Sequence, residues 1–146
     1  LTITADPTER KALKPSEVVE LLIVELETRG LSKGKYLSDT GQACLIGGLR
    51  LTLGHNPNPG YGSTIDITGR VRTFGEHEED EVYQEAVHTL ADLLETRFGA
   101  CNCGSCNYEP LRRDEVDLES FSDNHMATEV FSFLRNAATK LRSEGR

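Results

Sequence analysis

Apolar residues recur at helical spacing in three long stretches of this chain. In the first, Val19, Leu22, Ile23 and Leu26 fall at i, i+3, i+4 and i+7, and Val18 and Leu21 widen the face. Pro15 suits a first helical turn, where a missing N–H costs nothing. Gly30 is placed to end the helix in the left-handed conformation. Together these predict a helix over residues 16–29. The second stretch, 81–98, carries Val82, Tyr83, Ala86, Val87, Leu90, Leu93 and Leu94 on one broad face, and Gly99 follows it. The third, 127–141, places Val130, Phe131, Leu134, Ala137, Ala138 and Leu141 together. Thr128, Asp123 or Asn124 can cap its first N–H groups, and the last four residues should fray.

Between the first two helices the pattern is denser and less regular. Residues 31–41 are rich in turn formers (Gly34, Ser38, Asp39, Thr40, Gly41) and read as a loop. Residues 42–53, QACLIGGLRLTL, form the densest apolar run outside the long helices. Leu45, Ile46, Leu49 and Leu53 match a helix face, although Gly47 and Gly48 weaken any regular structure. Residues 55–63, HNPNPGYGS, are loop. Residues 64–74 alternate through Ile65, Ile67 and Val71 around Thr68-Gly69, which predicts a small β-hairpin leaning on the helices. Residues 76–81 are an acidic run that fits a solvated helix start, where negative charge is favoured. Residues 100–118 show neither period. The expected architecture is mostly α: a compact bundle of about four helices over 14–146, with the hairpin and a Cys-rich loop at 100–118, after a flexible arm at 1–13.

Composition narrows the function classes. A chain of 146 residues can build one core. A formal net charge of -8 argues against nucleic acid or an anionic membrane as the main partner, and fits a protein that meets a basic one. No stretch is long enough to span a bilayer. LTITADPTERKALK at the start has no apolar core, so secretion is not expected and a cytoplasmic setting is. In a reducing compartment the four Cys are expected to be thiols or metal ligands.

Three groups of residues could carry chemistry. Cys101, Cys103 and Cys106 lie within six residues, CNCGSC, with the spacing that presents thiolates to one tetrahedral ion. A structural zinc stapling the loop is one reading, with a fourth ligand from Cys44, His88 or His125. Free surface thiols, or a disulfide in an oxidising setting, are the other readings, and no second CxxC reinforces the first. Cys44 stands at a possible helix N-terminus, where the dipole lowers a thiol pKa. With His125 and Asp123 it would make a Cys–His–Asp set. A small core residue is the plainer role. Gln42-Ala43-Cys44 matches part of a caspase signature, but Leu45 breaks it and no His precedes Cys44. Asp123 and Asn124 are read as capping and turning residues, His88 as the edge of a polar face. Gly60-Tyr61-Gly62 follows no strand and opens no helix, so it is no phosphate loop.

The order of these pieces resembles a family of small actinobacterial and phage proteins defined by a domain of unknown function. The matching elements are a helix ending in Gly30, then Gly34 with Tyr36, Asp39 to Gly41, and Cys44 with Gly47-Gly48-Leu49. Phe121-Ser122-Asp123 and Thr128-Glu129-Val130 with Leu134 close the set. The likeness covers the two ends, about half of the chain. Gly48 stands where the family has Ala, Ser122 where it has Asn, and the hairpin and Cys-rich loop look like local insertions. The resemblance implies that Cys44 and Asp123 meet in space; it implies no activity. Three readings follow. The first is an accessory or interaction protein with a protein partner, any zinc being structural. The second is a small hydrolase using Cys44 or a zinc-bound water with His125 and Asp123. The third is an acidic decoy of nucleic-acid-binding proteins.

Overall fold

Pro15 opens the first helix, and Glu17 turns back to accept the Lys14 N–H at 2.9 Å. The computed structural model describes residues 13–57, 63–65, 67–73, 76–99 and 108–146, and among these five α-helices form the architecture. We number them α1 (Pro15–Arg29), α2 (Leu45–Thr52), α3 (Glu81–Phe98), α4 (Pro110–Asn124) and α5 (Ala127–Ser143). The expected arm falls almost wholly on residues 1–12, outside the described ones. No helix among the described residues is long and apolar enough to cross a membrane.

α1, α3 and α5 follow the periodicity that predicts them. Leu22, Leu26, Leu90, Leu134 and Leu141 have no exposed surface. On α5 the buried aromatic is Phe133, while Phe131, expected on the inner face, is only partly covered. α1 packs most extensively on α5, and α3 on α4. α2 lies between α1 and α4. It begins at Leu45, later than the apolar run suggests, because residues up to Ala43 are tied to the preceding loop. Ala43 N–H donates to the Gly30 carbonyl (3.1 Å), and Ser32 N–H to the Ala43 carbonyl (3.0 Å). The segment 31–43 is thus a strap that leaves α1, crosses the molecule and returns.

Two expectations are corrected. The Cys-rich loop does not run to residue 118, because α4 starts at Pro110. The Glu109 carboxylate caps it, accepting from the N–H groups of Leu111 (3.1 Å) and Arg112 (2.9 Å). α4 escapes a periodicity search because its inward positions include Glu115 and Ser122 beside Leu111, Leu118 and Phe121. Asp123 and Asn124 accordingly end α4 and do not cap α5, whose N-cap, Met126, makes no side-chain bond. The second correction concerns the hairpin. Ser63–Ile65 and Val71–Thr73 pair antiparallel over three residues each. Ile65 and Ile67 are exposed, however, so the pair adds no β layer to the helical architecture; it touches the helices at Val71, whose carbonyl accepts the Glu109 N–H at 2.8 Å.

The strap lies on α2 with no room to spare. A Cβ built on Gly47 would sit 1.9 Å from the Tyr36 carbonyl oxygen, whereas one on Gly48 would meet the Leu26 Cδ2 methyl at 2.6 Å. Backbone cannot yield, but a leucine tip can. We expect Gly47→Ala to lower stability by about 3 kcal/mol. Gly48→Ala, which restores the residue implied by the resemblance, should stay within about 1 kcal/mol of the parent, its crowding offset by better helix propensity. Urea unfolding followed by circular dichroism separates the two; equal losses would show that Tyr36 does not press on α2.

Candidate functional site

α2 carries one residue that a small apolar helix would not be expected to bury. Arg50 has no exposed surface. Its Nη2 donates to Glu115 Oε2 of α4 at 2.8 Å, its Nη1 to the Pro57 carbonyl at 3.0 Å, and its Nε to the Tyr83 hydroxyl of α3 at 3.2 Å. The Tyr36 ring of the strap covers the guanidinium, 4.6 Å from centroid to Cζ. Tyr83 donates its hydroxyl proton to the same Glu115 oxygen. Charge-assisted bonds of this kind are the strong ones, and removing one partner of such a buried pair costs about 3–5 kcal/mol.

His77 completes the cluster. Sequence alone places it in a solvated acidic run, yet it is fully buried in a short 3-10 turn, Glu76–Glu79, with Nε2 3.4 Å from Glu115 Oε2. Burial, and then the Arg50 charge, pushes its pKa down to about 4, against the pull of Glu115. Asp80 beyond it is also buried. Its Oδ1 caps α3 through the Val82 N–H (3.0 Å), and its Oδ2 holds His55 Nε2 at 2.5 Å.

The cluster continues outward through Arg112. Its Nη1 lies 3.7 Å from Glu115 Oε1, 2.8 Å from Glu119 Oε1 and 3.2 Å from the Tyr36 hydroxyl. Tyr36 in turn donates to Glu119 Oε1, and its own pKa is pushed far up by burial and by that carboxylate. At this outer end a cavity of about 450 Å³ opens between the strap and α4, with Gly34, Tyr36, Cys44, Glu119 and Asp123 among its walls. The strap is latched to α4 along one edge of it. Gly34 N–H donates to Asp123 Oδ1 at 2.8 Å, and the Lys33 ammonium donates to the carbonyls of Ser122 and His125. Ser122, buried beneath, accepts the first N–H of α2, from Leu45, at 3.2 Å. That role needs only an acceptor oxygen, which the Asn implied by the resemblance would also supply.

Cys44 and Asp123 therefore line one cavity. His125 does not join them: its Nδ1 meets the Phe121 carbonyl at 3.0 Å, and its ring stacks 4.5 Å from that of Phe121 in a separate hollow of about 160 Å³. The helix dipole also fails to activate the thiol. Cys44 is the N-cap of α2, its sulfur accepting the Gly47 N–H at 3.4 Å, but only 3% of it is exposed. Burial pushes its pKa up to about 11; the backbone donors of Gly47 and Ile46 oppose this, and the Glu119 and Asp123 charges add to it. His88 pairs with Asp114 through Nδ1 at 2.6 Å, and that bond raises its pKa. Cys101, Cys103 and Cys106 lie outside the described residues. Among the described ones, no three His, Cys, Asp or Glu are grouped to hold a metal.

His77 gives the protein a pH dependence of defined sign. Its folded pKa, about 4, lies below the ordinary 6.5, so the unfolded chain takes up its proton first. The contribution is complete above about 6.5 and is lost as pH falls towards 4. Urea midpoints should fall over that window in the parent and fall less in His77→Gln. Parallel profiles would assign the acid loss to other groups.

Neither a curated protein nor a solved structure matches the chain. The profile of one family does match, over residues 10–140, which takes in the strap, the buried cluster and both walls of the cavity. The ordered motifs that join Gly30 to Cys44 and Phe121 to Val130 thus have their explanation: the chain belongs to DUF6197, a family of unknown function.

Proposed function

We propose that this chain is a non-enzymatic accessory or interaction protein, and that the cavity between the strap and α4 is where a partner engages it. The observation that carries this reading is the state of Cys44. The cysteine at the cavity is a buried thiol, held protonated at neutral pH, and no imidazole is among the described residues that line it. A thiolate attacks; a thiol with a pKa near 11 does not. What remains at the cavity is recognition chemistry: two carboxylates, a phenol and backbone amides on a wall fixed by long-range contacts. A net charge of -8 favours a basic partner. A bacterial or phage cytoplasm as the setting rests on the resemblance in the motifs.

The test is alkylation. Cys44 in the native protein should react with iodoacetamide at neutral pH roughly 100-fold more slowly than in urea, by peptide-mapped mass spectrometry, since its thiolate fraction falls with each unit of pKa. His125→Ala should leave the native rate unchanged. Fast alkylation that this substitution slows would replace the interaction reading with the hydrolase.

A structural zinc on Cys101, Cys103 and Cys106 is a separate proposal supported by their spacing alone. Elemental analysis of protein purified without chelator should find about one zinc per chain. The metal should vanish, and stability fall, in Cys103→Ser/Cys106→Ser. Metal-free parent protein would leave the cluster as free thiols.

A further inference from the structure

The strap is held in different ways along its length. Its two ends are paired through backbone: the Ser32 N–H donates to the Ala43 carbonyl (3.0 Å) and the Ser38 N–H to the Gln42 carbonyl (2.7 Å). Tyr36 is wedged, its carbonyl against Gly47 and its ring over Arg50. Lys33, Gly34 and Lys35, between the buried Ser32 and Tyr36, are exposed. None of the described backbone-to-backbone hydrogen bonds outside helices and strands involves these three. The Ser32 hydroxyl donates to the Lys35 carbonyl at 2.7 Å and folds them into a tip. At its apex Gly34 takes a φ of +74°, and no atom stands within 4 Å of where its Cβ would lie.

What pins this tip comes from the end of α4. The Lys33 ammonium donates to the Ser122 and His125 carbonyls, and the Asp123 carboxylate accepts the Gly34 N–H. Carbonyls in the last turn of a helix lack intrahelical partners, and a cation is favoured there. Lys33, Gly34 and Asp123 all stand in solvent, so releasing the tip exchanges these bonds for water at small cost. Lifting Tyr36 would instead uncover Arg50, whose ion pair with Glu115 is fully buried. Beneath the tip lies the cavity of about 450 Å³, with Gly34 and Lys35 in its wall and Cys44, 3% exposed, at its floor.

We propose that residues 33–35 form a lid on this cavity, which opens about Ser32 and Tyr36 when Lys33 and Asp123 let go, while the rest of the strap keeps its place. This rests on the reading of the cavity as the place where a partner engages, and says how the partner reaches its floor. A partner that needs the open lid binds in proportion to the open population, so each pin lowers its apparent affinity.

The experiment is hydrogen exchange of the full chain at increasing urea, read at the amides of Gly34, Ser38 and Ala43, beside the rate of Cys44 alkylation by iodoacetamide at fixed pH. Gly34 should exchange fastest and with little dependence on urea, as local opening does, whereas Ser38 and Ala43 follow deeper opening. Lys33→Met keeps the stem and removes the ammonium. It should speed Gly34 exchange about tenfold, and Cys44 alkylation with it, leaving Ser38 and Ala43 at their parent rates. Charge alone acts the other way, because losing a nearby cation disfavours the thiolate; acceleration of Cys44 therefore reports access. A variant that is merely less stable would speed all three amides alike, so the contrast among them remains the test. Exchange of Gly34 in step with Ser38 and Ala43 overturns the lid, and so does Lys33→Met that leaves Gly34 or Cys44 at the parent rate. Those results with Cys44 slow in the parent leave the interaction reading standing. Rapid parent alkylation that His125→Ala slows removes that reading, and the contrast of Gly34 with Ser38 still decides the lid.

Discussion

The ion pair between Arg50 and Glu115 is shut off from water at both ends, and four parts of the chain meet at it. α2 supplies the cation and α4 the anion. α3 adds the Tyr83 hydroxyl, and the strap lays the Tyr36 ring across the guanidinium. An apolar cluster of the same volume could be as stable, because desolvating two charges offsets most of their attraction. It would not, however, specify direction. A guanidinium fork bonded to a carboxylate, a carbonyl and a phenol has one satisfactory arrangement. The position of Tyr36 follows from it, and so does the wall of the cavity.

The same junction explains what could and could not be read from the residues. α1, α3 and α5 bury apolar stripes, so their spacing is the helical period itself. α4 buries Glu115 and Ser122 within its stripe, and polar letters at inward positions erase the period although the geometry is unchanged. His77 was hidden in the same way, a buried imidazole between glutamates that describe a surface. The cavity was half legible. The order of motifs brings Cys44 and Asp123 together, and they share a wall. Glu119 and Arg112 gave no sign, and Tyr36 stood out only as a motif residue beside Gly34, since nothing local marks residues that meet only through the fold. Cys44 shows the limit of a local argument: a helix N-terminus lowers a thiol pKa, but burial is the larger effect here.

Gly47 and Gly48 look interchangeable in the sequence and are not in space. At Gly47 the neighbour is the Tyr36 carbonyl, and the missing side chain is what allows the strap to lie against α2. At Gly48 the neighbours are leucine tips of α1, and a methyl group asks only for repacking. The Ala that the resemblance implies falls at the second position, where a Cβ is affordable. Ser122 for Asn is a similar exchange, conserving an acceptor for the Leu45 N–H while changing its carrier.

The latch contacts join residues far apart along the chain. Tyr36 and Glu119 are separated by 83 positions, Gly34 and Asp123 by 89, Lys33 and His125 by 92. Closing such loops costs chain entropy before any contact is gained. The helices and their local pairings can form early, but the cavity exists only once the strap and the end of α4 have found each other. The cavity is therefore tied to the completion of folding: a chain still missing its last third has α1 and α2 in hand, yet lacks the α4 wall that closes it.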